Sequence, residues 1–270
     1  MFKKLWLMVF LALLLSACNT AKKTGMAFNQ KPANVSIFVV PPTYIKKTNL
    51  KKYPSANLRH KSQTYRDSIQ FYQSNYIKYI YDSIFLENFV NAYMDEIRAY
   101  GGRSCLDVGA PQCQPTEISY VVNMLHSELK EYVIKYTDAQ QIGRNVYEKD
   151  IPLEAVSFHL WLEIHPLNDT IMDETPLYTE NFIRDELPRS EFFFEEGTDK
   201  ILHVHSKTPM NPEKIYSMAD KLGRKYATYT WDYIMNEYIR QLEGQNTPYL
   251  RFDRKSGEYL KKSKDKFSRL

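Results

Sequence analysis

The sequence predicts a single α+β domain, with helices packed on a largely antiparallel sheet, and three stretches carry that prediction. Val156, Phe158, Leu160, Leu162 and Ile164 alternate with Ser157, His159, Trp161, Glu163 and His165, the period of a strand that buries one face. Leu86, Phe89, Val90, Tyr93, Met94, Ile97 and Tyr100 recur at helical spacing from Ser83, a predicted N-cap after Asp82, and Gly101-Gly102 supplies the stop. Asn211-Pro212 pairs an N-cap with proline at the first helical position, and the stripe Ile215, Met218, Ala219, Leu222, Tyr226, Tyr229, Tyr233 and Ile234 runs toward Leu242 and Gly244.

The elements follow in chain order. Lys3 and Lys4 precede an apolar run from Leu5 to Leu15 that is too short for a helix across the roughly 30 Å core of a bilayer. With small residues after it, residues 1–17 read as a cleaved secretory signal. Residues 18–32 are polar, lack a period and read as a tether. Val35 to Val40 is a β-branched run stopped by Pro41-Pro42, a buried strand opening a domain predicted over 33–242. Residues 43–66 show turn residues and charges but no period. Residues 117–125 and 132–136 read as strand segments broken at His126 to Lys130, although Leu125, Leu129 and Val133 also suit a helix. Strands are further predicted at 176–183, 191–195 and 200–206. Residues 243–270 read as a basic tail, with eight Lys or Arg against three acids from Arg251 onward. Strand, helix, several strands, helix, without an internal repeat, is an α+β order.

Overall charge excludes little: without the signal, 34 basic side chains face 32 acidic ones. Its distribution is uneven. Residues 43–81 hold eight Lys or Arg against Asp67, whereas residues 163–199 hold eleven acids against Arg184 and Arg189. Seven tyrosines interleave with the first block, so Lys46, Lys47, Lys51, Lys52, Tyr72, Tyr76 and Tyr79 are binding candidates. Cations beside stacking platforms suit single-stranded nucleic acid, but an exported chain meets no such partner; anionic glycan, lipid headgroups or an acidic protein face suit them instead.

Cys105 and Cys113 lie eight apart in a loop-rich stretch, and in an oxidising compartment a disulfide between them is expected. Such a bridge is worth roughly 2 to 3 kcal/mol in the chain-entropy account. Among metal candidates, His203 and His205 share one strand face, and His159, Glu163 and His165 share another; the spacing permits a zinc site without specifying one. Hydrolase signatures are absent: no Gly-x-Ser-x-Gly, no His-Glu-x-x-His and no glycine-rich phosphate loop. No catalytic set and no cofactor follow from the sequence.

Leu15-Ser16-Ala17-Cys18 resembles the lipobox of bacterial lipoproteins. The resemblance implies acylation of Cys18, and three acyl chains exceed what stable anchoring needs. Asn19, in place of an inner-membrane-retaining aspartate, implies the outer membrane, and Asn-Thr-Ala-Lys-Lys at 19–23 lacks an acidic surface-export cluster, so the body is expected to face the periplasm. The element order loosely resembles the ABC-type transport auxiliary lipoproteins. Asp82-Ser83, Glu128 to Tyr132, Trp161, Tyr226-Ala227 and Trp231-Asp232-Tyr233-Ile234-Met235-Asn236 resemble uncharacterised envelope lipoproteins. The expectation is therefore a non-enzymatic envelope binder or accessory component of a transport or assembly complex. The alternative is an envelope enzyme acting on glycan or lipid through carboxylates or the histidine face.

Overall fold

A computed structural model of the chain describes residues 20–51, 62–106, 114–168, 176–198 and 200–269. The fold is α+β. Its main sheet has the order β11-β6-β5-β4-β1-β3, with β2 also paired to β4. The strands are β1 (Val35–Val40), β2 (Lys46–Asn49), β3 (Arg103–Cys105), β4 (Ile118–Ile142), β5 (Asn145–Pro166), β6 (Leu177–Arg184) and β11 (Ser268–Arg269). The β4-β5-β6-β11 half is antiparallel, whereas β1 runs parallel to β3 and β4, and β2 parallel to β4. Helices α3 (Asp82–Ala99) and α4 (Pro212–Glu243) cover one face. Among the described residues no helix is long and apolar enough to cross a membrane.

The alternation of β5 is realised as read: Val156, Phe158, Leu160, Leu162 and Ile164 are all buried in the core under the helices. Phe158 sits between Phe85 and Phe89 of α3, with ring centroids 5.0 and 5.3 Å away. The two helices approach closely because Gly223 of α4 has no side chain; a Cβ there would lie 2.2 Å from the carbonyl oxygen of Phe89. Asn211 caps α4 by accepting the Lys214 N–H at 2.9 Å, as its sequence predicts. The N-cap of α3 is Tyr81, two residues before the predicted Ser83, and it makes no side-chain capping bond.

Four readings change. Residues 118–136 belong to one strand, β4, not two segments. A register shift between Asn123 and His126 inverts its parity, so Val122 and Met124 face the helices before it and Leu129 and Glu131 after it. That inversion made residues 126–130 look like a break. Together β4 and β5 form one hairpin closed at Gly143-Arg144, where a φ of +64° at Gly143 suits a tight turn. At about 3.3 Å per residue each strand spans on the order of 70 to 80 Å, so the hairpin outruns the helices. Its far end is covered by a second hairpin, β7 (Glu186–Phe194) with β8 (Ile201–Thr208). Asp138 of β4 accepts from the Ser190 hydroxyl at 2.5 Å and lies 3.0 Å from His203 Nε2.

The unperiodic stretch 43–66 contains β2 and the capped start of α2 (Gln63–Tyr72). The tether reading also yields to packing: residues 20–30 form helix α1, which buries Ala21 and Phe28. Asn29 fixes it, accepting the Trp231 indole N–H at 2.8 Å and donating to the Tyr259 hydroxyl at 2.8 Å. The basic tail folds as well. Strands β9 (Tyr249–Asp253) and β10 (Glu258–Lys262) pair, Asn236 bonds both the N–H and the C=O of Leu250, and Phe267 is buried. Short apolar contacts scattered among charges give no period, which is why both termini read as solvated.

Candidate functional site

The sheet face opposite the helices carries the candidate site, and strand register builds it. Across β4, β5 and β6, His126 pairs with Trp161 and Trp161 with Tyr178, so three aromatic rings fall in one cross-strand row. The centroids lie 5.1 Å apart from His126 to Trp161 and 4.9 Å from Trp161 to Tyr178. Tyr44, 60% exposed, extends the row at 6.5 Å from His126. The next row reads Lys46, Glu128, His159, Glu180, and the one after it Thr48, Lys130, Ser157, Phe182. A cavity of about 470 Å³ opens between these rows, lined by Leu50, Lys130, Tyr132, Ser157, His159 and Glu180 among others.

Hydrogen bonds run in one direction through the three rows. The Tyr178 hydroxyl donates to Glu180 Oε2 at 2.6 Å and therefore accepts from His159 Nδ1 at 2.5 Å. That assigns the proton to Nδ1 and leaves Nε2 to accept from the Ser157 hydroxyl at 2.7 Å. Burial, reinforced by the Lys130 charge, lowers the His159 pKa, so the ring is neutral at neutral pH. Burial and the Glu180 carboxylate raise Tyr178. Burial alone would raise Glu128, but the Thr48 hydroxyl at 2.6 Å and the cations Lys130 and Lys46 hold its carboxyl below the usual range. The result is a fixed array of donors and acceptors beside an aromatic row.

The sequence candidates land in several places. Lys46, 58% exposed, borders this face and pairs with Glu128 at 3.4 Å. Lys47 points to the helix side, with Nζ 2.5 Å from the Ile80 carbonyl and 2.6 Å from Asp82. Lys51 is buried against Glu131 and Glu154 at 2.5 and 3.0 Å. Tyr76 is buried and donates to Asp185, whereas Tyr72 and Tyr79 are exposed; Lys52 lies outside the described residues. These residues do not gather into one cationic surface.

The histidines do not converge either. His159 and Glu163 stand on β5 of the main sheet, with Trp161 between them. His203 and His205 stand on β8, where His203 is held by Asp138 and Ser190. Among the described residues no three His, Cys, Asp or Glu side chains come together to hold a metal ion. Cys105, at the end of β3, is buried; Cys113 and Cys18 lie outside the described residues.

Of the aromatic row, the candidate set contained none. Trp161 was visible on the non-core side of β5, but the bulge at 123–126 hid that His126 shares its face.

No protein-family model matches the chain, and no curated protein matches it. Among solved structures, a neuraminyllactose-binding hemagglutinin homolog from Helicobacter pylori aligns with 80% of this chain and 94% of its own, at 10% identity and a TM-score of 0.33. At that score the likeness carries no argument about fold or ligand.

Proposed function

We propose that this chain is a lipid-anchored envelope protein that binds glycan, without catalysis, on the sheet face opposite its helices. The row Tyr44, His126, Trp161, Tyr178 carries the reading. Sugar rings present C–H faces that pack on aromatic rings, and their hydroxyls need fixed polar partners. Here the rings are continuous over three strands and a preceding loop, and Lys46, Glu128, Lys130 and Glu180 flank them with both signs of charge. Binding needs no more than this array. The relay from Ser157 to Glu180 holds His159 and Tyr178 in place.

The lipobox supports the anchor. With α1 starting by residue 20, one residue, Asn19, separates Cys18 from a docked helix, two steps or at most about 7 Å of chain. Acylation at Cys18 would hold the body against the membrane in a set orientation, on the periplasmic side of the outer membrane. Cys113 is the proposed partner of Cys105, closing the loop after β3.

Affinity electrophoresis of the full chain in gels cast with neutral, acidic and amino-sugar polysaccharides tests the binding. At least one gel should retard the protein, with retardation abolished by Trp161→Ala; equal migration in every gel contradicts the proposal. Cys18→Ala should move the protein from the membrane fraction to the soluble one, and its staying in the membrane contradicts the anchor.

A further inference from the structure

We propose a second binding site, for an extended acidic peptide of another protein, along the outer edge of β6. This edge has an internal precedent. The last residues of the chain add there as β11, with Ser268 opposite Tyr178 and Arg269 opposite Leu177. Among the described residues, that two-residue strand is the only partner on this side of an eight-residue strand, so residues 180–184 present an unpaired edge. An exposed edge of this kind is a template for one more strand.

The surroundings select the occupant. Between the edge and α4 runs a groove of about 480 Å³, with Ile183, Met218 and Leu222 as an apolar floor. Lys214, Lys221 and Lys225 rim it, Lys225 donating to the Asn181 side chain, against the single acid Glu186, which pairs with Lys214 at 2.8 Å; Arg184 borders it with its guanidinium over the Tyr136 ring. Lys266 stands close enough to Lys225 that, after burial, its charge lowers the Lys225 pKa. Uncompensated positive charge is what a carboxylate-bearing strand relieves. Alternate side chains of such a strand reach the apolar floor while the others meet the cations. The site shares strand β6 with the aromatic row, and Asn181 and Phe182 line both cavities, but it does not depend on glycan binding.

The test uses the full chain in detergent and an acetylated probe peptide of alternating valine and glutamate, six residues long and fluorescently labelled. Anisotropy should report binding. Hydrogen exchange should show amides of residues 180–184 slowed by the peptide. Lys214→Glu with Lys221→Glu should weaken binding by about tenfold or more, as charge reversal across an interface does. Lys221→Ala, at an exposed position, should weaken it less and leave the helical circular dichroism unchanged. Three results would each overturn the proposal: no binding at millimolar peptide, unchanged affinity in the double variant, or equal binding of a proline-interrupted peptide of the same charge. Occlusion of the same amides in a concentration-dependent dimer of this chain would replace the peptide by a second copy.

Discussion

Phe158 and His159 are neighbours on β5, yet they belong to two differently built faces. Phe158 is one of a set of rings and aliphatic chains packed between sheet and helices, where each atom matters for stability. His159 sits in an array of polar groups and rings that no helix covers among the described residues, and each of its ring nitrogens has a named partner. The first face uses the alternation of the strand to exclude water. The second uses the same alternation to hold donors, acceptors and rings at fixed spacings, which folding alone does not require.

The comparison has a strong test at Glu131, which shows that even polar groups on the helix side serve stability. Glu131 is fully buried, pairs with Lys51 and accepts the backbone N–H groups of Asn75, Tyr76 and Ile77 at 2.7 to 3.1 Å. Glu131→Ala should cost about 3–5 kcal/mol, because it leaves three N–H groups without their acceptor and a buried ammonium with only its second carboxylate, Glu154. Denaturant unfolding of the full chain measures this, and a loss below about 1 kcal/mol would break the contrast between the faces.

The next effect is a pH dependence. Burial pushes the Asp232 carboxyl from 3.8 up to about 7, although the Phe252 N–H and the Arg251 charge pull it down. A raised acid binds its proton more tightly in the fold than in the unfolded chain, so its contribution is full below pH 3.8 and lost as the pH rises through about 7. Asp232→Asn should flatten the stability curve over that window, by an amount on the order of a few kcal/mol. Parallel curves for the two proteins would exclude Asp232 as the titrating group.

Gly223→Ala should follow, at about 1–3 kcal/mol, because the new methyl meets backbone of α3 that cannot swing aside. Thermal unfolding measures it; an unchanged midpoint would mean that the helices slide apart freely. The smallest loss of stability belongs to the other face. Trp161→Ala should cost about 1 kcal/mol, the scale of its ring pairs with His126 and Tyr178, while removing glycan retention. A loss as large as that of Phe158→Ala, about 3–5 kcal/mol, would make Trp161 a core residue and dissolve the distinction.

The helix-side face was largely legible in the sequence, because burying one side of β5, α3 and α4 leaves an uninterrupted period of apolar residues. The opposite face was legible on β5 alone. Its row depends on register between strands, which sequence periodicity does not encode, and the bulge before His126 reversed the parity of β4 just where the row begins. The basic segment misled for a related reason: a lysine destined for Glu131, like Lys51, has the same local sequence as one facing water. The ends misled because α1 and the β9-β10 hairpin are held by a few specific partners, Asn29 and Asn236, rather than by a broad apolar face.

Saturation-transfer NMR on the full chain in detergent, with irradiation of the aromatic protons and a retained oligosaccharide as observer, tests the central claim most directly. The proposal predicts transfer concentrated on the C–H protons of one sugar face in the wild-type protein and lost in Trp161→Ala. Transfer that survives Trp161→Ala unchanged, or no transfer to any glycan that binds, would contradict it.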